Sequence, residues 1–464
     1  MKKVGKVIGI IIALLVILYF IFTGPVDETP YFESDFFKNT TKQIDSLKAN
    51  FATTDDSLFA GFAKVSITPG LNSTGDNISE GKFTKVPLAG FGARKGAPAT
   101  GIHDSIFVKA VALKVGNQQI ILVGTDILIM PPNIIDSATN ALAKKGIPRS
   151  QLYFSATHSH SSLGAWGPGF VGEQFAGEEN KNLEKWLVGQ IEKVVLSSFS
   201  DLRPAKIGTG NFKAGEFTRN RLIGKLGTKN DDFSYIFIEQ LNGKKAIIGS
   251  FAAHATSLGD KNMQISADYP GYWERKMEKT SVDYAMFFAG SVGSQSPVSK
   301  GVGFDEPKYI GEALADSLFL QIPQTELNAE IPFSTISVKM ELPEYHFRLT
   351  TTRNLSTGLT KKLMPYPNNV YAQAVRIGNM VWISTPCDFS GEYALQIKNA
   401  LLTKGFNANV TSFNGSYVGY IIPGRYFYLD EYEPKLMGWF GPNMGDYTMD
   451  IIRQISGIVT QKES

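Results

Sequence analysis

Five histidines occur among the 464 residues of this chain, and two of them stand two apart in Thr157-His158-Ser159-His160. The preceding Leu152-Tyr153-Phe154-Ser155-Ala156 reads as a buried strand. Alternate residues of an extended chain project to the same side, so both imidazoles are expected to leave the strand end in one direction. Ser161, Ser162, Gly164, Gly167, Pro168 and Gly169 follow, the composition of a loop that lines an active site. Neutral imidazole is the commonest zinc ligand, and a second histidine can share the ion or orient a substrate or water. Taken alone, however, a His-x-His pair is more often a surface or core feature than a metal site.

A third histidine, His254, again directly follows a predicted strand, in Phe251-Ala252-Ala253-His254-Ala255-Thr256-Ser257-Leu258-Gly259. Standing alone it would read as a satisfied, partly buried imidazole; two strand-end histidine sites in one chain favour chemistry. Asp268 and Tyr269 precede a proline-started helix, where Asp268 either supplies supporting hydrogen bonds or simply caps the helix. From Phe287 to Pro297 a strand runs into a small-residue loop with open backbone N–H groups and a candidate reactive Ser296. It lacks the G-x-S-x-G spacing of a nucleophile elbow, so a flexible serine-rich turn explains it equally well.

These groups need elements to carry them. Ile106 to Val115 and Gln119 to Asp126 flank a Gly-Asn turn, Tyr235 to Leu241 and Lys245 to Phe251 flank Asn242-Gly243, and Val370 to Ile377 and Met380 to Ser384 flank Gly378-Asn379. Each reads as a hairpin. Helical spacing predicts helices at Pro132 to Lys145, Lys181 to Ser197, Tyr269 to Lys279, Pro307 to Phe319, Gly391 to Leu402 and Tyr447 to Val459. Hairpins mixed with crossover helices imply an α/β fold with a mixed sheet core covered by helices, not an all-parallel doubly wound one.

The apolar content of 43% is that of a globular protein able to bury a core. Lys2, Lys3 and Lys6 account for the whole formal charge of +3, so the rest of the chain is neutral and offers a nucleic acid no electrostatic footing. Cys387 is the single cysteine, which excludes an intramolecular disulfide and a cysteine metal cluster and is compatible with an oxidising compartment. From Val7 to Val26 no side chain is charged, and twenty helical residues rise about 30 Å, enough to cross a bilayer core. The lysines before this stretch and Asp27 and Glu28 after it place the N-terminus in the cytoplasm and the bulk of the chain outside, periplasmic or extracellular. A cleaved signal peptide is the alternative, but the apolar run is long and no small-x-small site follows it. Residues 27–58 read as a stalk, with a short amphipathic helix around Phe36 to Phe51, and residues 59–464 as one domain.

Taken together the motifs resemble a family. Thr157 to Gly164 is similar to the THTHSGPGG segment of neutral ceramidases, and His254 to Gly259 with Ile265 to Tyr272 resembles their HSTSM…ISSDNKGY, in the same order and spacing. Ala63 to Pro69 resembles the family's opening ADIT segment, and Arg219-Asn220-Arg221 its RNR motif. Gly101-Ile102-His103 before a strand and Gly124-Thr125-Asp126 at a strand end agree as well. Ser294-Gln295-Ser296-Pro297 stands at its serine-proline loop, Pro386-Cys387-Asp388-Phe389 resembles PAEF, and Phe413 to Ile421 its FNG…AYxxYV segment. The resemblance spans Phe59 to the C-terminus. Larger members carry a C-terminal β domain for which this chain is too short.

The resemblance implies a zinc ion held by His158, His254, Asp388 and Tyr420, catalytic roles for His160, Arg221 and Ser296, and substrate contacts from Asn220, Asp268 and Tyr417. Asp388 departs from the family's glutamate and is one methylene shorter, so the backbone or a water is expected to make up the distance. Ser294-Gln295 and Val298 are further departures. The implied reaction is hydrolysis of the N-acyl bond of ceramide or another N-acyl lipid by a water that zinc acidifies. His160 or Asp388 would help move the proton, Arg221 and Tyr420 would hold the developing charge, and Ser296 would orient substrate or itself attack. Aromatics from Tyr420 to Phe440 either line an acyl-chain groove or belong to the core. Two other readings are a metal-independent serine hydrolase and a non-catalytic binding module on the same scaffold; glycan and peptide amides are the competing substrates.

Overall fold

A computed structural model describes residues 2–365 and 367–461. At its centre is a mixed sheet of 12 strands. In spatial order it runs Tyr284–Ala289, Lys245–Phe251, Asp232–Gln240, Arg203–Lys213, Thr54–Ser66, Glu330–Lys339, Tyr371–Ile377, Met380–Ser384 and Asn407–Thr411. Thr54–Ser66 pairs in addition with Phe107–Val115, which leads through Gln118–Thr125 to Leu152–Ala156. The sheet therefore branches at this one long strand, and the branch packs back on the rest. Tyr153 stacks on Phe288 with ring centroids 5.9 Å apart and bonds Thr411 Oγ1 at 2.7 Å. Val111, Leu122, Ile236, Ile248, Met286 and Trp382 fill the apolar layer between the strands.

Three units of one design make up most of this architecture. Each is a hairpin followed by a crossover helix and a strand parallel to the hairpin's second strand. The first uses Phe107–Val115, Gln118–Thr125, helix Pro132–Ala143 and Leu152–Ala156. The second uses Asp232–Gln240, Lys245–Phe251, helix Asp268–Thr280 and Tyr284–Ala289. The third uses Tyr371–Ile377, Met380–Ser384, helix Gly391–Leu402 and Asn407–Thr411. The hairpins form where the turn chemistry requires them: Gly243 and Gly378 have φ of 91° and 61°, a left-handed backbone that glycine adopts without steric cost. The helices cover the outer faces, as the apolar spacing of each predicts.

Among the described residues, one helix, Lys3–Phe22, is long and apolar enough to cross a membrane. It ends before the uncharged stretch does, because Thr23–Pro25 leaves the helix to pair with Arg353–Leu355. The segment expected as a stalk is not a free spacer. Helix Asp35–Ala49 buries Thr40 and Ile44, Thr40 Oγ1 bonds Tyr447 Oη at 2.9 Å, and Phe36 meets the Tyr447 ring at 5.0 Å. The central strand then starts at Thr54, five residues before the expected domain boundary. The amphipathic spacing was legible; its partner, helix Met444–Val459, lies some four hundred residues away in sequence. Ile44→Ala is expected to cost about 2–5 kcal/mol in denaturant unfolding, whereas a side chain on a free stalk would cost nothing.

Candidate metal centre

The carboxyl ends of the parallel strand pairs in all three units converge on one point, where open α/β sheets commonly place their ligands. After Leu152–Ala156 the chain turns sharply: His158 has φ 63°, a left-handed conformation that costs a non-glycine residue roughly 1–2 kcal/mol. So His158 and His160 converge through a turn and not through continued strand alternation. Backbone bonds fix the turn, with Thr157 N donating to Thr125 O at 2.9 Å and His158 N to Ile127 O at 3.1 Å. The second unit delivers His254 just after Lys245–Phe251. From the third come Asp388 after Met380–Ser384, and Tyr417 and Tyr420 after Asn407–Thr411. Asp388–Phe389 and Tyr420–Ile421 pair as short parallel strands, which puts Asp388 beside Tyr420.

His158 Nδ1 lies 2.7 Å from Leu128 O, and His254 Nδ1 2.7 Å from Val292 O. A carbonyl only accepts, so both Nδ1 atoms carry the proton and both Nε2 atoms present lone pairs. Asp388 Oδ1 lies 3.4 Å from His158 Nε2 and 3.3 Å from His254 Nε2, and it is buried without a hydrogen-bond partner. Its other oxygen accepts from Tyr417 Oη at 2.7 Å. Tyr420 Oη is 3.0 Å from His254 Nε2, and His160 Nε2 is 3.2 Å from His158 Nε2. Asp388 Oδ1 therefore faces the Nε2 lone pairs of His158 and His254 in a buried site, with Arg221 Nη2 3.2 Å from His254 Nε2 as a neighbouring donor, and a cation relieves the acceptor–acceptor contacts. Two zinc ligands at 2.0–2.1 Å on a tetrahedron stand about 3.3–3.4 Å apart, which the His–Asp distances match. Asp388 Oδ1 thus stands beside both imidazoles, despite its shorter side chain. The three histidines by themselves form a group compatible with a metal ion.

Burial pushes the histidines down, His158 to about 3 and His160 and His254 well below their ordinary value, so all three are neutral. Burial pushes Asp388 up to about 7. Arg221 is the cation of the site. Burial disfavours its charge, but Tyr420, Glu433 and Asp388 more than compensate and raise its pKa. Its Nε donates to Glu433 Oε1 at 2.7 Å and its Nη2 to Tyr420 Oη at 3.0 Å. Glu433 escaped the sequence reading, since nothing in Asp430-Glu431-Tyr432-Glu433-Pro434 separates it from an exposed acidic turn. Phe413, the first residue of the segment resembling FNG, has φ 72° and stacks on His158 at 4.5 Å.

The centre forms the polar end of a cavity of about 280 Å³ lined mainly by apolar residues, among them Leu128, Ile129, Trp166, Val171, Phe175, Met437 and Trp439. His158, His160, Asp388, Tyr417 and Tyr420 line it too. Of the aromatics weighed for a groove, Tyr420, Tyr432 and Trp439 line the cavity, whereas Phe427 and Phe440 are buried elsewhere in the core. Asn220, Arg221, His254, Asp268 and Ser296 are not among the lining residues, Arg221 and His254 lying behind Tyr420 Oη at 3.0 Å each. Asn220 turns inward to Thr228 O and Ile223 N. Asp268, which begins its helix, accepts from Leu258 N at 3.0 Å and Tyr269 N at 2.6 Å and so ties down the loop after His254. Ser296 is half-buried on Gln295–Pro297, paired with Thr218–Asn220. The backbone N–H groups expected to be open in the preceding loop are used internally: Gly290 N donates to Phe251 O and Gly293 N to Phe389 O, each at 2.9 Å. The departures Ser294 and Gln295 serve this packing through their side chains, Ser294 Oγ accepting from Gly391 N at 3.2 Å and Gln295 Nε2 donating to Asn230 O at 2.9 Å and Thr218 Oγ1 at 3.1 Å.

The chain matches no protein-family model and no curated protein in sequence. Its fold does find counterparts. The neutral ceramidase from Pseudomonas aeruginosa superimposes with a TM-score of 0.72 over 87% of this chain and 75% of that one, at 17% identity. A ceramidase complexed with C2 gives 0.74 over 88% and 77%, at 16% identity. The chain has the neutral ceramidase fold. Within that ceramidase fold the three hairpin-helix-strand units supply the scaffold, and the converging imidazole, carboxylate and phenol groups lie where their carboxyl ends meet.

Proposed function

We propose that the chain is a zinc-dependent amidohydrolase that cleaves the N-acyl bond of ceramide or a related N-acyl lipid to fatty acid and amine. The observation that carries the reading is the buried, unpartnered Asp388 Oδ1 facing the Nε2 lone pairs of His158 and His254 at the end of an apolar cavity. His158, His254, Asp388 and Tyr420 would hold the ion. Zinc there would supply an acidified water and polarise the acyl carbonyl. The remaining work falls to the chain itself. His160, whose Nε2 lies 3.2 Å from His158 Nε2, is the imidazole placed to take a proton from the attacking water and return it to the leaving amine. Arg221, held by Glu433, keeps a positive charge beside Tyr420 Oη to offset the oxyanion. The apolar walls take the acyl chain, at about 0.8 kcal/mol per buried methylene. Likeness of fold to ceramidases and the apolar N-terminal helix both support a lipid substrate, since an enzyme tethered to a bilayer meets its lipid at high local concentration. The charge pattern around that helix supports a cytoplasmic N-terminus and an outer catalytic domain. No observation favours attack by Ser296, whose hydroxyl has no imidazole partner among the described residues.

The test is hydrolysis of a short-chain fluorescent ceramide before and after chelation. Turnover is expected to vanish with chelator and return with zinc. Chelator-resistant turnover would favour the serine hydrolase, and a zinc-loaded protein inert toward a panel of N-acyl lipids would favour the binding module. A pH dependence follows as well. Metal-free Asp388 holds its proton below about 7, and the histidines hold none. Zinc uptake near pH 6 is therefore expected to release the Asp388 proton, affinity falling about tenfold per unit below 7. Calorimetry in buffers of different ionisation enthalpy measures this; release of three protons would contradict it.

A further inference from the structure

The apolar helix leaves the domain beside the cavity. Thr23–Pro25 pairs with Arg353–Leu355, and Ser356 N donates to Phe22 O at 2.8 Å. The Arg353 guanidinium lies 5.2 Å from the Tyr19 and Phe20 ring centroids and donates to Thr23 Oγ1 at 2.7 Å. From a second side, Tyr428 Oη donates to Glu28 and Asn443 Nδ2 donates to Thr29 O at 2.8 Å. Both gripping segments continue into the cavity wall. Leu355 leads through helix Thr357–Leu363 to Met364 and Pro365, and Tyr428 leads to Tyr432, Met437 and Trp439. Seven helical residues span about 10 Å, so helix exit and cavity wall are close neighbours. The surface beside them exposes large apolar side chains between the charged Asp430, Glu431 and Lys435: Leu349, Leu429, Tyr432 and Leu436 are 45%, 37%, 44% and 55% exposed.

We propose that this face lies on the bilayer crossed by the N-terminal helix, so that the cavity takes its ligand from the lipid phase and not from water. The inference rests on the helix being a membrane span and, for the ligand, on the lipid reading above. The occupant is the lipid interface because the helix is exposed and apolar to Phe22, and Phe22 is itself bonded to the domain, which leaves no tether between membrane and face. Tyrosine and leucine side chains partition readily into that interface.

The full chain, reconstituted in phosphatidylcholine vesicles, is labelled with an environment-sensitive fluorophore at Leu429→Cys, Leu436→Cys or, as control, Leu241→Cys. Leu241 is exposed at the opposite end of the second hairpin from His254, and the native Cys387 is buried. Labels at 429 and 436 are expected to be quenched several-fold more by headgroup-region nitroxide lipids than the label at 241, and to be shielded from aqueous iodide. Equal iodide quenching at all three positions overturns the proposal. Alkaline carbonate extraction reports the anchor separately: a chain released by carbonate removes the proposal together with the anchor. A chain without zinc that keeps the quenching pattern removes only the hydrolase reading. The double variant Leu429→Asp/Leu436→Asp is expected to lose several-fold in hydrolysis of vesicle-borne ceramide and to keep full turnover of a water-soluble short-chain ceramide; equal loss on both substrates counts against the proposal.

Discussion

Replacing His158 with alanine is expected to abolish zinc binding and to lower ceramide turnover by more than about 10³-fold, because acidification of the attacking water goes with the ion. The fold should survive, since the imidazole makes one carbonyl bond, to Leu128, and its ring contacts are with Phe413 and with the site's own His160 and His254. The backbone complicates a single variant: position 158 has φ 63°, which alanine adopts only with strain. Asparagine tolerates that conformation better. His158→Asn should therefore be the more stable of the two while lacking zinc and activity equally, and circular dichroism with metal analysis separates the two effects. Activity retained by either variant would contradict the assignment.

Arg221→Met is expected to do something different: zinc is kept, kcat falls by about 10²–10³-fold, and KM changes little, as when an oxyanion donor is removed. Arg221 donates to Tyr420 Oη and approaches His254 Nε2 at 3.2 Å, but its guanidinium cannot act as a ligand. Glu433→Gln should produce a milder version of the same loss, since Glu433 orients Arg221 through a single 2.7 Å bond. Steady-state kinetics on metal-loaded protein measures both. Loss of metal from Arg221→Met would assign the residue to the ion's binding and not to the oxyanion.

Much of this arrangement was legible in the sequence because it is local. Hairpin turns such as Asn242-Gly243 and helix spacings such as Gly391–Leu402 depend on neighbours a few residues apart, and the structure places them where expected. His158, His254, Asp388 and Tyr420 were reached through motif order; each follows a strand, and parallel strands bring such ends together. What stayed hidden was long-range or conformational. The branching of the sheet at Thr54–Ser66 depends on pairing with Phe107–Val115, Arg203–Lys213 and Glu330–Lys339, all far later in the chain. Helix Asp35–Ala49 carries an amphipathic pattern, but a pattern does not name the surface that covers it. Glu433 looks like any turn carboxylate until Arg221 is placed beside it. The left-handed turn at His158 has no signature of its own, since non-glycine residues seldom adopt that backbone and histidine's enrichment there does not single out one position.

The central claim is that residues from three separate units hold one divalent cation. Elemental analysis of the purified, membrane-extracted protein tests it most directly, read beside the Asp388→Ala variant. One zinc per chain in the native protein, with little or none in the variant, is the result expected. A native protein free of transition metal after growth with zinc, or a variant with undiminished zinc, would contradict the account.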